Sequence, residues 1–179
     1  MYQWTYETPL GQVTVAGDEG GLAGLWFHGQ QHFAAAMPKN TPMGELAVFR
    51  ETKRWLEVYF SGKEPDFTPL LSLSGTPFQM LVWSHLLRIP YGQTVSYSQL
   101  AGDVASALGR SAMSAQAIGG AVGRNPVSVI VPCHRVVAAD GSLHGYAGGL
   151  ERKAALLALE QGRRQKSENS PLTNGETGI

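Results

Sequence analysis

Cys133 is the only cysteine in 179 residues, and it stands in "NPVSVIVPCHRVV" (125–137) with a proline before it and His134 after it. A thiol attacks only as thiolate, and a neighbouring histidine is the usual group that takes its proton. A lone cysteine is equally a small buried hydrophobe, so the residues around it have to decide. One cysteine excludes an intramolecular disulfide and any zinc cluster needing several thiolates. His28 and His32 stand at i, i+4 spacing, but that pair alone reads as surface chemistry, so no metal is expected. Neighbours along a strand point to opposite faces, so Cys133 and His134 meet only across a bend or a bridging water, and Pro132 supplies irregular backbone. His134 then needs a carboxylate or carbonyl to fix its tautomer. Asp140, Glu151 and Glu160 are the candidates, and spacing alone does not choose among them.

The elements that must hold these residues differ between the two halves. "YQWTYETP" and "GQVTVAGD" alternate apolar and polar side chains, and "GLAGLWFHG" follows the turn signal Asp18-Glu19-Gly20-Gly21, which predicts a small antiparallel sheet. Residues 44–60 place Leu46, Phe49, Leu56 and Phe60 near helical spacing, an amphipathic helix for that sheet. "SGKEPDFTPLLSLSGTP" has the Gly, Pro and Ser content of a linker. Thr76-Pro77 then opens a helix through residue 89, Ser96 caps "YSQLAGDVASAL", and "AMSAQAIGGAV" runs to Gly123 before Asn125-Pro126. Two short helices around a Gly-containing turn outline a helix-turn-helix. Its second helix is nearly bare: Ala112, Ala115, Ala117, Gly119, Gly120 and Ala121. Glycine costs about 1 kcal/mol relative to alanine inside a helix, so either another helix packs closely on it or a wide ligand approaches its backbone. A strand is expected ahead of Cys133 and a final helix around 150–160. Residues 163–179 are polar without apolar period and read as a disordered tail.

Hydrophobic content of 43% with 16% charged residues describes an ordinary globular chain. No run approaches ~20 uncharged apolar residues, and "MYQWTYETPLGQ" lacks the regions of a signal peptide, so cytoplasmic residence without membrane contact is expected. The zero net charge hides an asymmetry. Residues 1–76 hold five Lys/Arg and eight Asp/Glu, a net −3, whereas residues 77–166 hold nine Lys/Arg and four acids, a net +5. A positive excess in one half suits a phosphate-binding face.

"PCHRV", preceded by "GGAVGRNPVSVIV" and followed by "GYAGGLERKAALLALE", resembles the active-site region of the O6-alkylguanine-DNA alkyltransferases. The likeness extends upstream through "GTPFQMLVWSHLLRIPYGQTVSYSQLA" to cover residues 75–160, while the N-terminal region matches only through "TPLG" and general size. It implies an α+β protein. Residues 1–74 would form a ribonuclease-H-like domain of small antiparallel sheet and helix, and residues 75–162 a helical domain with a winged helix-turn-helix.

Roles follow from the same resemblance. Cys133 aligns with the alkyl-accepting cysteine, His134 with the histidine that deprotonates it through a bound water, and Glu160 with the glutamate that orients the histidine. Asn125 aligns with the hinge asparagine between recognition helix and active-site strand. Tyr97 aligns with the tyrosine that helps rotate the nucleotide out and donates a proton toward guanine. Tyr146, Ala147 and Val136 fall at the base pocket. Ala115, Gln116, Ala117, Gly119 and Gly120 fall on the helix that enters the minor groove of double-stranded DNA, with Arg110, Ser111, Ser114, Arg124 and Arg135 as contacts around it. A thiolate attacking the alkyl carbon forms a thioether that water does not cleave, so a monomer acting once, with no cofactor, is expected.

Two departures stand out. Gln116 replaces the arginine that fills the gap left by the flipped base, and Arg110 or Arg124 are the basic side chains nearby to substitute. The zinc site that some relatives carry in the N-terminal region has no cysteine here. Two other readings compete with the alkyltransferase. An alkyltransferase-like protein that only binds lesions lacks the acceptor cysteine. A Cys-His hydrolase would turn over.

Overall fold

The computed structural model describes residues 1–35 and 37–168. The alternating N-terminal segments form a three-stranded antiparallel sheet, β1 (Tyr2–Thr8), β2 (Gly11–Asp18) and β3 (Gly21–Phe27), in the order β1-β2-β3. Its second turn is tight because Asp18 Oδ1 accepts from Gly20 N at 2.9 Å and Gly21 adopts φ +132° with the Leu70 carbonyl lying where a Cβ would stand. The helix expected over 44–60 is α1 (Ala47–Phe60). Its sheet-facing stripe is Val48, Phe49, Thr52, Trp55, Leu56 and Tyr59, so Tyr59 rather than Phe60 faces inward. Burying each of its large side chains stabilises by about 1.5–3 kcal/mol.

The expected linker is more firmly held than its composition suggests. Leu22 N donates to Leu70 O and Ser72 N to Leu22 O, so part of it lies alongside β3. Helix α2 (Pro77–Leu86) starts in a capping box between Thr76 and Gln79, and it stops three residues short of the expected end. Arg88 and Ile89 follow in turns, because the residue before Pro90 is disfavoured in helical backbone. A second capping box, Ser96 with Gln99, opens α3 (Tyr97–Ala107). Ser114 Oγ accepts from Ala117 N to open α4 (Ala115–Gly123), three residues later than the sequence reading placed it. Helices α2, α3 and α4 pack on one another, with Trp83 Nε1 donating to the Ala121 carbonyl at 2.9 Å. β4 (Val95–Ser96) and β5 (Val136–Val137) form a short parallel pair.

The last helix, α5 (Leu150–Glu168), is longer than expected. Residues 163–168, read from sequence as the start of a disordered tail, continue it, consistent with the good helix propensity of Arg, Gln, Lys and Glu. The rest of that tail, 169–179, lies outside the described residues. Among the described residues no helix is long and apolar enough to cross a membrane.

The N-terminal sheet reaches directly into the second half. Leu25 N donates to Pro126 O at 2.8 Å and Ser128 N to Leu25 O at 2.9 Å. β3 therefore grips the segment that leads to the thiol.

Candidate active site

The β-branched run 127–131 is not the strand its composition predicts. Val129 sits at φ 71°, Ile130 N bonds to Ser128 O at 2.9 Å, and Cys133 N bonds to Val131 O at 2.8 Å across Pro132. These are two successive three-residue turns, and the first, centred on a β-branched residue in the left-handed region, is a rare conformation. Cys133–Arg135 then forms one 3-10 turn. Asn125 organises the segment: its Nδ2 donates to Val131 O at 2.8 Å and to Cys133 Sγ at 3.1 Å, and its Oδ1 accepts from Val127 N at 3.0 Å. Tertiary contacts from Leu25 and Asn125 override strand propensity.

The 3-10 turn resolves the question of opposite faces by sending Cys133, His134 and Arg135 in different directions. His134 Nε2 lies 2.7 Å from Glu160 Oε1, with both side chains fully buried. The choice among Asp140, Glu151 and Glu160 is thereby made in favour of Glu160. Asp140 instead caps its own turn through Ser142. Among the described residues His134 Nδ1, itself buried, has no hydrogen-bond partner. Glu160 also accepts from Arg135 Nε at 2.9 Å, Arg135 Nη2 at 3.0 Å, Gly92 N at 3.0 Å and the Tyr59 hydroxyl at 2.7 Å.

The charges follow. Burial would raise the Glu160 carboxyl, but donation from His134 and Arg135 outweighs it and brings the group down to about 2. Burial lowers His134, against the pull of Glu160, so the ring is neutral at neutral pH. Burial pushes the Cys133 thiol up, eased by the Asn125 hydrogen bond and the Lys153 charge. The resting pair is therefore a thiol beside a neutral imidazole, and the proton moves only when a reaction draws it.

Arg135, expected to contact DNA, is buried behind the site. Its guanidinium is tied to Glu160 and to the Ile89 carbonyl at 2.6 Å, and the 3-10 turn rather than a strand aims it there. Val136 is fully buried and absent from the cleft lining. Its carbonyl accepts from Lys153 Nζ at 2.5 Å, and Ala138 takes the place at the lining.

That cleft, of about 830 Å³, lies between α4 and the 138–147 loop. It is lined by Tyr97, Ala115, Gln116, Gly119, Gly120, Arg124, Tyr146 and Ala147, and also by Gln31 and His32 from the N-terminal half. Cys133 is not on the lining and is 6% exposed. Tyr97 and Tyr146 are raised by burial first and by the Cys133 thiolate second. The Tyr97 hydroxyl donates to the carbonyls of His144 and Gly145, pinning the loop, while the Tyr146 hydroxyl is buried without a partner. Arg110, Ser114 and Ala117 are exposed but lie outside the lining.

The bare face of α4 is not explained by helix packing. A Cβ added at Gly119, Gly120 or Gly123 meets nothing within 4 Å, whereas Ile118, Ala121 and Val122 hold the opposite face in the core. The small residues leave an open wall.

Sequence reasoning missed Lys153 and Tyr59. Lys153 is fully buried, donates to Val136 O and to His144 O at 2.9 Å, and stands 5.7 Å from the Tyr97 ring. The signal was in α5, where Lys153, Leu156, Leu157 and Glu160 share one buried stripe at helical spacing.

Comparisons with known proteins agree with this layout. Residues 77–162 match the sequence model described as 6-O-methylguanine DNA methyltransferase, DNA binding domain. Residues 1–73 match that of the same enzyme's ribonuclease-like domain. A methylated-DNA–protein-cysteine methyltransferase of Methanosarcina acetivorans is 43% identical over 161 residues, 89% of this chain and 98% of the relative. The Mycobacterium tuberculosis protein of that name is 42% identical over 159 residues, 89% of this chain and 92% of the relative. The crystal structure of Mycobacterium tuberculosis OGT in complex with DNA aligns with a TM-score of 0.79 at 38% identity, over 91% of this chain and 94% of that one.

A thiol backed by a buried proton acceptor and set beside a helix-turn-helix is the layout of a protein that takes a group from DNA onto itself. The chain belongs to the 6-O-methylguanine DNA methyltransferase family.

Proposed function

We propose that this protein reverses alkylation of double-stranded DNA by moving the alkyl group of O6-alkylguanine irreversibly to Cys133. The observation that carries the reading is the fully buried His134–Glu160 pair at 2.7 Å, with His134 next to the thiol residue in the same 3-10 turn. Glu160 holds the proton on Nε2, which leaves Nδ1 as the basic nitrogen. In the proposed step His134 takes the thiol proton, directly or through one water, and Sγ attacks the alkyl carbon. The carbon–oxygen bond breaks, its electrons stay on guanine, and Tyr97 passes guanine a proton with loss of its loop hydrogen bonds; the proton left on His134 returns to solvent and solvent reprotonates Tyr97, so the net transfer is from thiol to guanine.

The target atom lies inside a duplex, so the nucleotide must be flipped at a cost of a few kcal/mol. The open wall of α4 fits the minor groove, where base edges are poorly distinguished, and this suits repair at any sequence. Gln116 on the lining is the side chain placed to fill the gap, with Arg124 beside it, and Arg110 and Ser114 as phosphate contacts. A cytoplasmic location fits a protein that works on DNA. The lesion-binding alternative gains no support, because the thiol is present and held by Asn125.

Incubation with a duplex containing O6-methylguanine, followed by peptide mass spectrometry, tests this. One methyl on Cys133 per molecule and then arrest is expected. Continued turnover, or methyl on another residue, refutes the mechanism.

A further inference from the structure

Tyr59 lies on α1, in the half of the chain to which the resemblance assigned no chemistry, yet its hydroxyl ends inside the proton-accepting cluster. It donates to Glu160 Oε1 at 2.7 Å across 101 residues of sequence and stands 3.4 Å from His134 Nε2 across 75. The oxygen it binds is the one that receives the His134 proton. The ring is fixed on several sides: stacked on Trp55 at 5.1 Å and edge-on to Phe60, Tyr91 and His134. We propose that Tyr59 is a positioning residue for alkyl transfer: its hydroxyl shares Glu160 Oε1 with His134, keeps that carboxylate a weak base, and so holds His134 neutral with Nδ1 free to receive the thiol proton. The proposal rests on the transfer reaction proposed above.

A carboxylate that accepts an extra hydrogen bond is less basic, and it stabilises a neighbouring imidazolium less. The groups facing the pair are Tyr59 from α1, Tyr91 from the loop after α2, Cys133 and Arg135 from the 3-10 turn, and Lys153 from α5. Among them Arg135 carries a fixed positive charge, while burial lowers the Lys153 amine from its ordinary value. Tyr59 is the neutral donor, and burial followed by the Glu160 charge pushes its own ionisation far above the usual phenol range. It therefore donates at every working pH and never carries the proton itself.

Tyr59→Phe removes one oxygen and keeps the ring. The measurement is the single-turnover transfer rate against pH on a methylated duplex, together with DNA affinity, melting temperature and an NMR titration of the His134 ring. In the unmodified protein the acid limb lies below the ordinary histidine value of 6.5, since burial keeps the ring neutral. In Tyr59→Phe the limb and the NMR midpoint move upward by about half a unit to one unit. Transfer slows by up to about tenfold on the acid side, with little change at high pH and DNA affinity kept within about twofold. Trp55→Phe, which alters the stacking partner but not the hydroxyl, leaves the limb in place. An unmoved or lowered limb in Tyr59→Phe overturns the proposal, as does a fall in melting temperature with no shift of the limb. The unmodified protein separates the two readings: failure to alkylate Cys133 at all defeats the transfer reaction, whereas normal alkylation with an unshifted Tyr59→Phe profile defeats only the role of Tyr59.

Discussion

Two surfaces converge on Cys133, and they are built in opposite ways. Behind the thiol, Glu160 accepts from Tyr59, Gly92, His134 and Arg135 in a cluster closed to solvent. In front, α4 offers Ala115, Gly119, Gly120 and Gly123 with open space around the glycine backbone. The rear has every polar group of the carboxylate engaged and so has one arrangement. The front has almost no side chains and so leaves its backbone open, as the proposed reading of any sequence requires. Chemistry that must be the same at every lesion is placed in the rigid half, and recognition that must be indifferent is left nearly blank.

Mutation can break this contrast from either side. Cys133→Ala has the largest effect: alkyl transfer disappears while affinity for methylated duplex, measured by fluorescence anisotropy, persists. Glu160→Gln comes next, with transfer about 10²–10³-fold slower, far more than any change in DNA binding. It also leaves Arg135 buried without its counter-charge, a loss on the order of 3 kcal/mol seen as a lower melting temperature. Equal losses of binding and rate would make Glu160 structural only.

Two arginines sharpen the comparison. Arg135→Ala destabilises the fold by about 3 kcal/mol and leaves the salt dependence of DNA binding unchanged. Arg124→Ala leaves the melting temperature alone and reduces the slope of log affinity against log salt by about one. Gly120→Leu weakens DNA binding by roughly tenfold, about 1.4 kcal/mol, yet melts no lower than the parent, since glycine is a poor helix former. A drop in melting temperature would show that α4 is packed after all.

The rear cluster also governs stability against pH. Glu160 falls from 4.5 to about 2 on folding, so the native state binds fewer protons than the unfolded one. Its contribution is fully present above pH 4.5 and is lost as pH falls toward 2. His134 is likewise lowered, from 6.5, so its share has the same sign and begins to fade below pH 6.5. Urea melts across this range show the loss, and in Glu160→Gln the steep part below pH 4.5 is absent.

Much of this was legible in the residues. Alternation marked β1 to β3, and Thr76 and Ser96 marked helix starts through side-chain oxygens that do cap them, whereas the start of α4 at Ser114 was set three residues too early. The two readings of the bare helix could not be separated from sequence, because the answer is the empty space beside it. The strand expected at 127–131 failed for a tertiary reason: Leu25 and Asn125 capture its backbone groups and force the turns. Arg135 was misplaced because arginine is nearly always exposed unless paired, and its partner lies 25 residues away. Tyr59 and Lys153 sat in apolar stripes whose polar tips have meaning only once α1 and α5 meet.

Glu160 lies 27 residues after Cys133 in the chain. Synthesis proceeds at about 5–20 residues per second, so for a second or more each growing polypeptide carries the thiol without the carboxylate that sets His134. A truncated or half-made copy has its cysteine but lacks the timing part that arms it. If the protein works once, as proposed, a thiol that waits for α5 before it is armed is guarded against early discharge.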